Sequence, residues 1–162
     1  MTALDRALRE AKRAGMPADQ IARFLQAGYV PQPKQMQFHA LARQADQPGA
    51  PDRIALGGAR GPGKSHAIMA QVAIDDLQRF PGLTALFLRK IGKAARESMD
   101  RLRANTFIRL PHDYPRNEGV IRFPNGSRII LGNFSSPNDI DKYQGVEFDI
   151  LVVEEYTQIP QK

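Results

Sequence analysis

The chain has no cysteine among its 162 residues, which excludes disulfide frameworks and thiolate metal sites. Its three histidines, His39, His66 and His112, have no metal-ligand spacing, so they are read as structural or surface residues and no zinc is expected. A signal peptide and a long apolar run are lacking too. The opening "MTALDRALREAKRAG" is charged throughout, so no membrane partner is expected and an intracellular, soluble protein is. Internal repeats and low-complexity tracts are absent, which removes solenoid readings. What the sequence does have is 42% hydrophobic residues, enough for one globular domain with a real core, and a formal net charge of +6. A basic balance is compatible with a nucleic-acid partner and equally with a solvated basic surface.

The first chemical signal is "GGARGPGKSHA", residues 57–67. Gly58, Gly63, Lys64 and Ser65 fall at the spacing G-x-x-x-x-G-K-[ST]. Glycines let a backbone wrap closely around a polyphosphate and aim successive N–H groups at it, and the start of a following helix adds its dipole. The phosphate-contacting backbone would run through Ala59, Arg60, Gly61, Pro62 and Gly63 to Lys64, Ser65 and His66. Lys64 would reach the β- and γ-phosphates of ATP, and the Ser65 hydroxyl would bind Mg²⁺. This chemistry needs a strand before the loop and a helix after it. "DRIALGG" supplies a short apolar run, expected as a strand over 53–57, and "KSHAIMAQVAIDDLQRF" carries Ile68, Val72 and Leu77 at helical spacing.

Elsewhere the patterns are plain. Two amphipathic helices are expected in the first 30 residues: Leu4 and Leu8 lie on one side of the first, with Gly15 as a stop, and Ile21, Phe24 and Leu25 fall in the second, with Gly28 as a stop. "LTALFLRK", 83–90, is a continuous apolar run ending in two cations, which suits a buried parallel strand. Residues 91–110 read as a helix with Arg96, Arg101 and Arg103 exposed. "GVIRFPNGSRIILGN" reads as a β-hairpin pairing Val120, Ile121 and Phe123 with Ile129, Ile130 and Leu131 across Asn125-Gly126.

The second chemical signal is "DILVVEEYTQI". A buried strand over Ile150–Val153 would deliver two carboxylates to its C-terminal end, Glu154 to hold Mg²⁺ and Glu155 to polarise an attacking water. Together with the loop it points to hydrolysis more than to simple binding.

The order of "PQPKQMQFHALA", "GGARGPGKS", "LFLRK", "FPNGSRIILGN" and "YQGVEFDILVVEEYTQI" resembles the N-terminal ATPase half of the large terminase subunit of tailed bacteriophages and prophages, from about residue 30 onward. The resemblance implies an α/β fold with a RecA-like phosphate-loop (ASCE-type) ATPase core: a mostly parallel sheet, a β-hairpin insertion and N-terminal helices. It divides the chain into a helical segment, 1–30, and an ATPase domain, 31–162. It also implies an adenine contact from Gln35 or Gln37, a stacking group in Tyr29 or Phe38, and γ-phosphate sensing by Arg60, with Arg60, Lys64 and Glu155 as the catalytic set. ATP and Mg²⁺ are the implied cofactors. Implied partners are double-stranded DNA, a portal protein, a small terminase subunit and further copies in a ring, in the bacterial host cytoplasm.

Two departures stand out. Many such proteins carry Asp-Glu where this chain has Glu154-Glu155, and many carry a trans-acting arginine where this chain has Gln144, leaving Lys142 and Arg128 as substitutes. The chain also stops seven residues after Glu155. The resemblance therefore implies a C-terminally incomplete domain, without a nuclease half, without turnover on its own, and with a gap or distorted spacing between 53–57 and 149–153. Other classes share the two nucleotide motifs: a helicase or other RecA-like ATPase, and a nucleotide-binding assembly module without turnover.

Overall fold

The computed structural model describes residues 2–58, 63–89, 93–133 and 137–154, and within these not the side chains of 93–96, 137, 138 and 140. Helix α1, Ala3–Arg13, starts at a capping box in which Thr2 accepts the Asp5 N–H and Asp5 accepts the Thr2 N–H. Helix α2, Ala18–Ala27, ends at Gly28, whose φ of 77° is the left-handed conformation that favours glycine. Helix α3, Pro33–Gln44, opens with proline in its first turn, where the missing N–H has no intrahelical partner to lose. Phe24, Met36 and Ala40 are buried, whereas Leu4 and Leu25 are exposed, so the first two helices do not bury their whole apolar stripe.

Helix α4, Lys64–Ala70, runs on without a break into a π-helical turn, Gln71–Asp76, and a last α turn, α5, Leu77–Arg79. Every residue from Met69 to Asp75 is buried. A proline-free run of small and apolar residues suits such a helix, which must pack on more than one side.

Strand β1, Thr84–Arg89, is one of the two inner strands of a four-stranded sheet of order β2-β3-β1-β4, where β2 is Val120–Arg122, β3 is Arg128–Asn133 and β4 is Ile150–Val153. Ala85, Leu86 and Phe87 are buried in succession, as a strand covered on both faces requires. β1 pairs in parallel with both β3 and β4, and β2 pairs antiparallel with β3. The sheet is therefore mixed. Helix α6, Lys93–Thr106, lies between β1 and β2 in the chain, and a 3₁₀ helix, Pro137–Tyr143, lies between β3 and β4. Asp149 tightens the second crossover, since its carboxylate accepts the Thr84 N–H at 2.7 Å.

Four expectations need correction. The run 53–57 forms no strand: it is unpaired among the described residues and Ile54 is 37% exposed. Three apolar residues between Arg53 and Gly57 bury too little surface to hold a strand without a neighbour; 53–57 and β4 are accordingly not ladder partners. The hairpin forms, but with Val120 opposite Ile130 and Ile121 opposite Ile129, one residue out of the register that a two-residue Asn125-Gly126 turn gives, and it is no appendage, because β3 pairs along its whole length with β1. Phe123 lies just outside the ladder and accepts the Gly126 N–H in the connecting turn, with Gly126 at φ 85°. Helix α6 is shorter than 91–110, and while Arg101 is exposed, Arg103 is half-buried and bonded to His112 at 2.8 Å. The Arg96 side chain lies outside the described residues. No described helix is long and apolar enough to cross a membrane.

Candidate functional site

The parallel strands set one edge of the site. β1, β3 and β4 share a direction and register, so their C-terminal ends gather Arg89, Asn133 and the Val153–Glu154 step. The open side of such an edge is where parallel α/β sheets receive ligands. Glu154 is held in place by its own backbone, its N–H donating to the Leu88 carbonyl at 2.9 Å. Its carboxylate is buried, and Oε2 has no hydrogen-bond partner among the described residues. The nearest cation is Arg89, whose Nε lies 3.5 Å from that oxygen, while its guanidinium also donates to Ser98 Oγ on α6 at 2.6 Å. A buried carboxylate oxygen left without a donor is the kind of hard ligand Mg²⁺ takes, so the residue present fits the ion expected there.

The loop is the second candidate feature. Gly58 and Gly63 bracket it at φ 132° and 72°, both conformations that favour glycine. Lys64 is the first residue of α4, and its Nζ donates back across the loop to the Gly58 carbonyl at 2.9 Å. Ser65 and His66, in the same turn, are half-buried. Ala59, Arg60, Gly61, Pro62 and Glu155 lie outside the described residues, so the positions assigned to the γ-phosphate sensor and the water-orienting acid stay with the sequence reading.

The flanking segment is more firmly engaged than its sequence indicates. Gln35 is 7% exposed, and its amide nitrogen donates to the Gly63 carbonyl at 3.0 Å. Gln37 is exposed. Phe38 is buried, and Tyr29 packs edge-on against Phe24 and His39 at ring-centroid distances of 5.2 and 5.6 Å. Burial pushes the Tyr29 phenol far above its usual range. His39 is fully buried, and that burial pulls its imidazole down to about 4 against a hydrogen bond with Gln71 that works the other way.

The trans-acting substitutes divide. Arg128 opens β3 opposite Thr84, donating to its hydroxyl at 3.2 Å, at the end of the sheet away from Glu154. Lys142 is exposed and pairs with Asp139 at 2.5 Å. Gln144 is exposed and bonded to Asp141 at 3.1 Å. Arg89, beside Glu154, is not among the residues that the sequence singles out. Its signal was the pair of cations closing "LTALFLRK", which reads as a strand terminus until β4 is laid beside it.

Residues 55–162 match the family described as terminase large subunit, T4likevirus-type, N-terminal, a family with a role in viral DNA packaging. The comparisons with curated proteins and with solved structures returned no match. A loop with lysine reaching across it, a buried acid at the end of a parallel strand and a family match over two thirds of the sequence agree, and the chain belongs to the T4-like terminase large subunit family, N-terminal part.

Proposed function

We propose that the chain is the ATP-hydrolysing part of a motor that moves double-stranded DNA into a procapsid, built on a RecA-like phosphate-loop core. The observation that carries this reading is the loop itself: glycines at both ends in the left-handed region, and Lys64 spanning it from the first turn of α4. Bound ATP with Mg²⁺ would supply the phosphoanhydride that is cleaved and the charge that polarises it. Loop N–H groups and Lys64 would neutralise the phosphate oxygens. The Ser65 hydroxyl and the Glu154 carboxylate would hold the ion, with Arg89, 3.5 Å away, orienting that carboxylate. Glu155 would orient the attacking water for in-line displacement, and Arg60 would sense the γ-phosphate. The motor would work as a ring of copies on a portal protein, loaded by a small terminase subunit, in the host cytoplasm. Its contacts with DNA would be to the backbone and therefore salt-sensitive.

The test is nucleotide titration of the chain and its Lys64→Ala variant in the presence of Mg²⁺. Loss of at least about tenfold in affinity is expected, the scale of one charge-assisted contact. Equal affinity in the two proteins would remove the loop's functional reading.

A further inference from the structure

Helix α3 grips the helix that follows the loop at two points. Gln35 and His39 are four residues apart, so they share one face of α3. Gln35 reaches the Gly63 carbonyl at 3.0 Å, and His39 Nδ1 lies 2.8 Å from Gln71 Oε1, eight residues further along. The Gln35 amide is engaged at both its oxygen and its nitrogen. Its oxygen accepts the Gln32 N–H at 2.8 Å and faces the Tyr29 hydroxyl at 3.3 Å, and its nitrogen serves Gly63. The Tyr29 hydroxyl in turn lies 3.1 Å from His39 Nε2, which joins the two grips. Gln71 Oε1 also accepts from Gln20, so His39 Nδ1 must be the donor toward it and Nε2 the acceptor. Gly63 has no side chain in the way: a Cβ there would fall 2.7 Å from Gln35 Nε2. The same Gly63 carbonyl accepts the Ala67 N–H at 3.0 Å, the first bond of α4, immediately before Lys64.

We propose that Gln35 is a positioning residue for the phosphate loop: it fixes the Gly63 carbonyl, and through it the first turn of α4, so that it governs affinity for the polyphosphate. The polyphosphate half of this rests on the function proposed above; the positioning half does not. One N–H of the Gln35 amide is committed to the backbone next to Lys64, and a base would have only the second to use.

The experiment uses Gln35→Glu. A carboxylate keeps the acceptor for Gln32, and an acid at the third position of a helix is well tolerated, but it cannot donate to Gly63. Hydrogen exchange is measured without ligand, and affinity is then measured for Mg²⁺-ATP and for Mg²⁺-tripolyphosphate, which has no base. The expected result is faster exchange at the amides of residues 64–67, unchanged exchange in α2, and affinity for both ligands weakened by the same factor, up to about tenfold for one lost hydrogen bond. Weaker ATP binding with unchanged tripolyphosphate binding would overturn the proposal in favour of a base contact, and so would unchanged exchange at 64–67. If wild type bound neither ligand while the variant still loosened 64–67, the positioning role would stand and the ATPase reading would fall. Tyr29→Phe is the second variant, expected to loosen the same amides by a smaller factor. No change there would remove the tyrosine from the arrangement.

Discussion

The junction of α2 and α3 with the long helix, and the sheet side of the core, are built from opposite materials. At the junction Gln20, His39, Gln71 and Asp75 are all essentially inaccessible and bond to one another: the two N–H groups of the Gln20 amide are shared among the His39 carbonyl, Gln71 Oε1 and Asp75 Oδ2, each 3.0 Å from its nitrogen. Arg43 and Arg79 approach the Asp75 carboxylate at 3.0 and 3.6 Å. On the sheet side, Phe87, Phe107, Ile121 and Ile129 are just as inaccessible and pack with apolar neighbours. Apolar burial is favourable whatever the angle of approach. Buried polar groups are tolerated only in the geometry that satisfies them, and a paired ion gains little net stability after desolvation. The sheet side should therefore hold most of the folding free energy, and the junction should hold the orientation of the helix that begins at Lys64.

Phe107→Ala is the strongest way to break that contrast. Phe107 is 0% exposed, with Phe123 and His112 at ring distances of 6.0 and 5.1 Å, so truncation should remove about 3–5 kcal/mol. Urea unfolding should show a lower midpoint at constant slope. A loss below about 2 kcal/mol would mean that the sheet side is not the main reservoir.

Acid sharpens the contrast from the other side. Burial lifts the Asp76 carboxyl to about 6, with Asp75 adding to it and Gln71 and Arg79 pulling against it. Stability from this group is present below its ordinary 3.8 and is lost as pH rises through about 6. His39 runs oppositely: its contribution is present above 6.5 and is lost as pH falls through about 4. Each is worth about 3 kcal/mol, so the two slopes should nearly cancel between pH 4 and 6.5 and leave wild-type stability flat there. Asp76→Asn removes one arm. Denaturation midpoints of that variant should then fall steadily as pH drops through this window, and a profile that stayed flat would show that His39 is not buried in neutral form.

The smallest effect expected on stability belongs to Gln71→Leu, a change of similar volume. It strands donors or acceptors on His39, Gln20 and Asp75, for about 2 kcal/mol. Its larger consequence should be loss of definition, seen as broadened or doubled amide signals over residues 63–79 with the sheet unchanged. Sharp single signals there would contradict an orienting role for the junction.

What could be read in advance follows the same division. Asn125-Gly126 announced its hairpin because a local turn required positive φ, and "LTALFLRK" announced a covered strand because no charged residue interrupts it before Arg89. Glycine spacing and the acid at 154 marked the ends of the candidate site for equally local reasons. The contacts of Gln35 with Gly63, of Arg89 with Glu154 and of Gln71 with Gln20 and His39 were illegible, since in each the partner is supplied by an element distant in sequence. The unpaired state of 53–57 was illegible for a related reason: whether a short apolar run becomes a strand depends on whether an edge is there to receive it.

The long helix is fastened at both extremities by side-chain amides from separate parts of the fold. Gln35 holds the carbonyl of Gly63, and Asn125, in the hairpin turn, donates to the carbonyl of Leu77 at 2.7 Å. Between them the π turn accommodates a wider winding than the α turns on either side. The stretch thus behaves as a gauge of fixed length. Removing a single residue from Gln71–Asp76 would let the coil wind uniformly, but it would shorten the gauge and rotate one end by about 100° relative to the other. Gln35 and Asn125 could not then both keep their grips. For this protein the count of residues between the loop and the hairpin is as much a determinant of the site as the identity of any one of them.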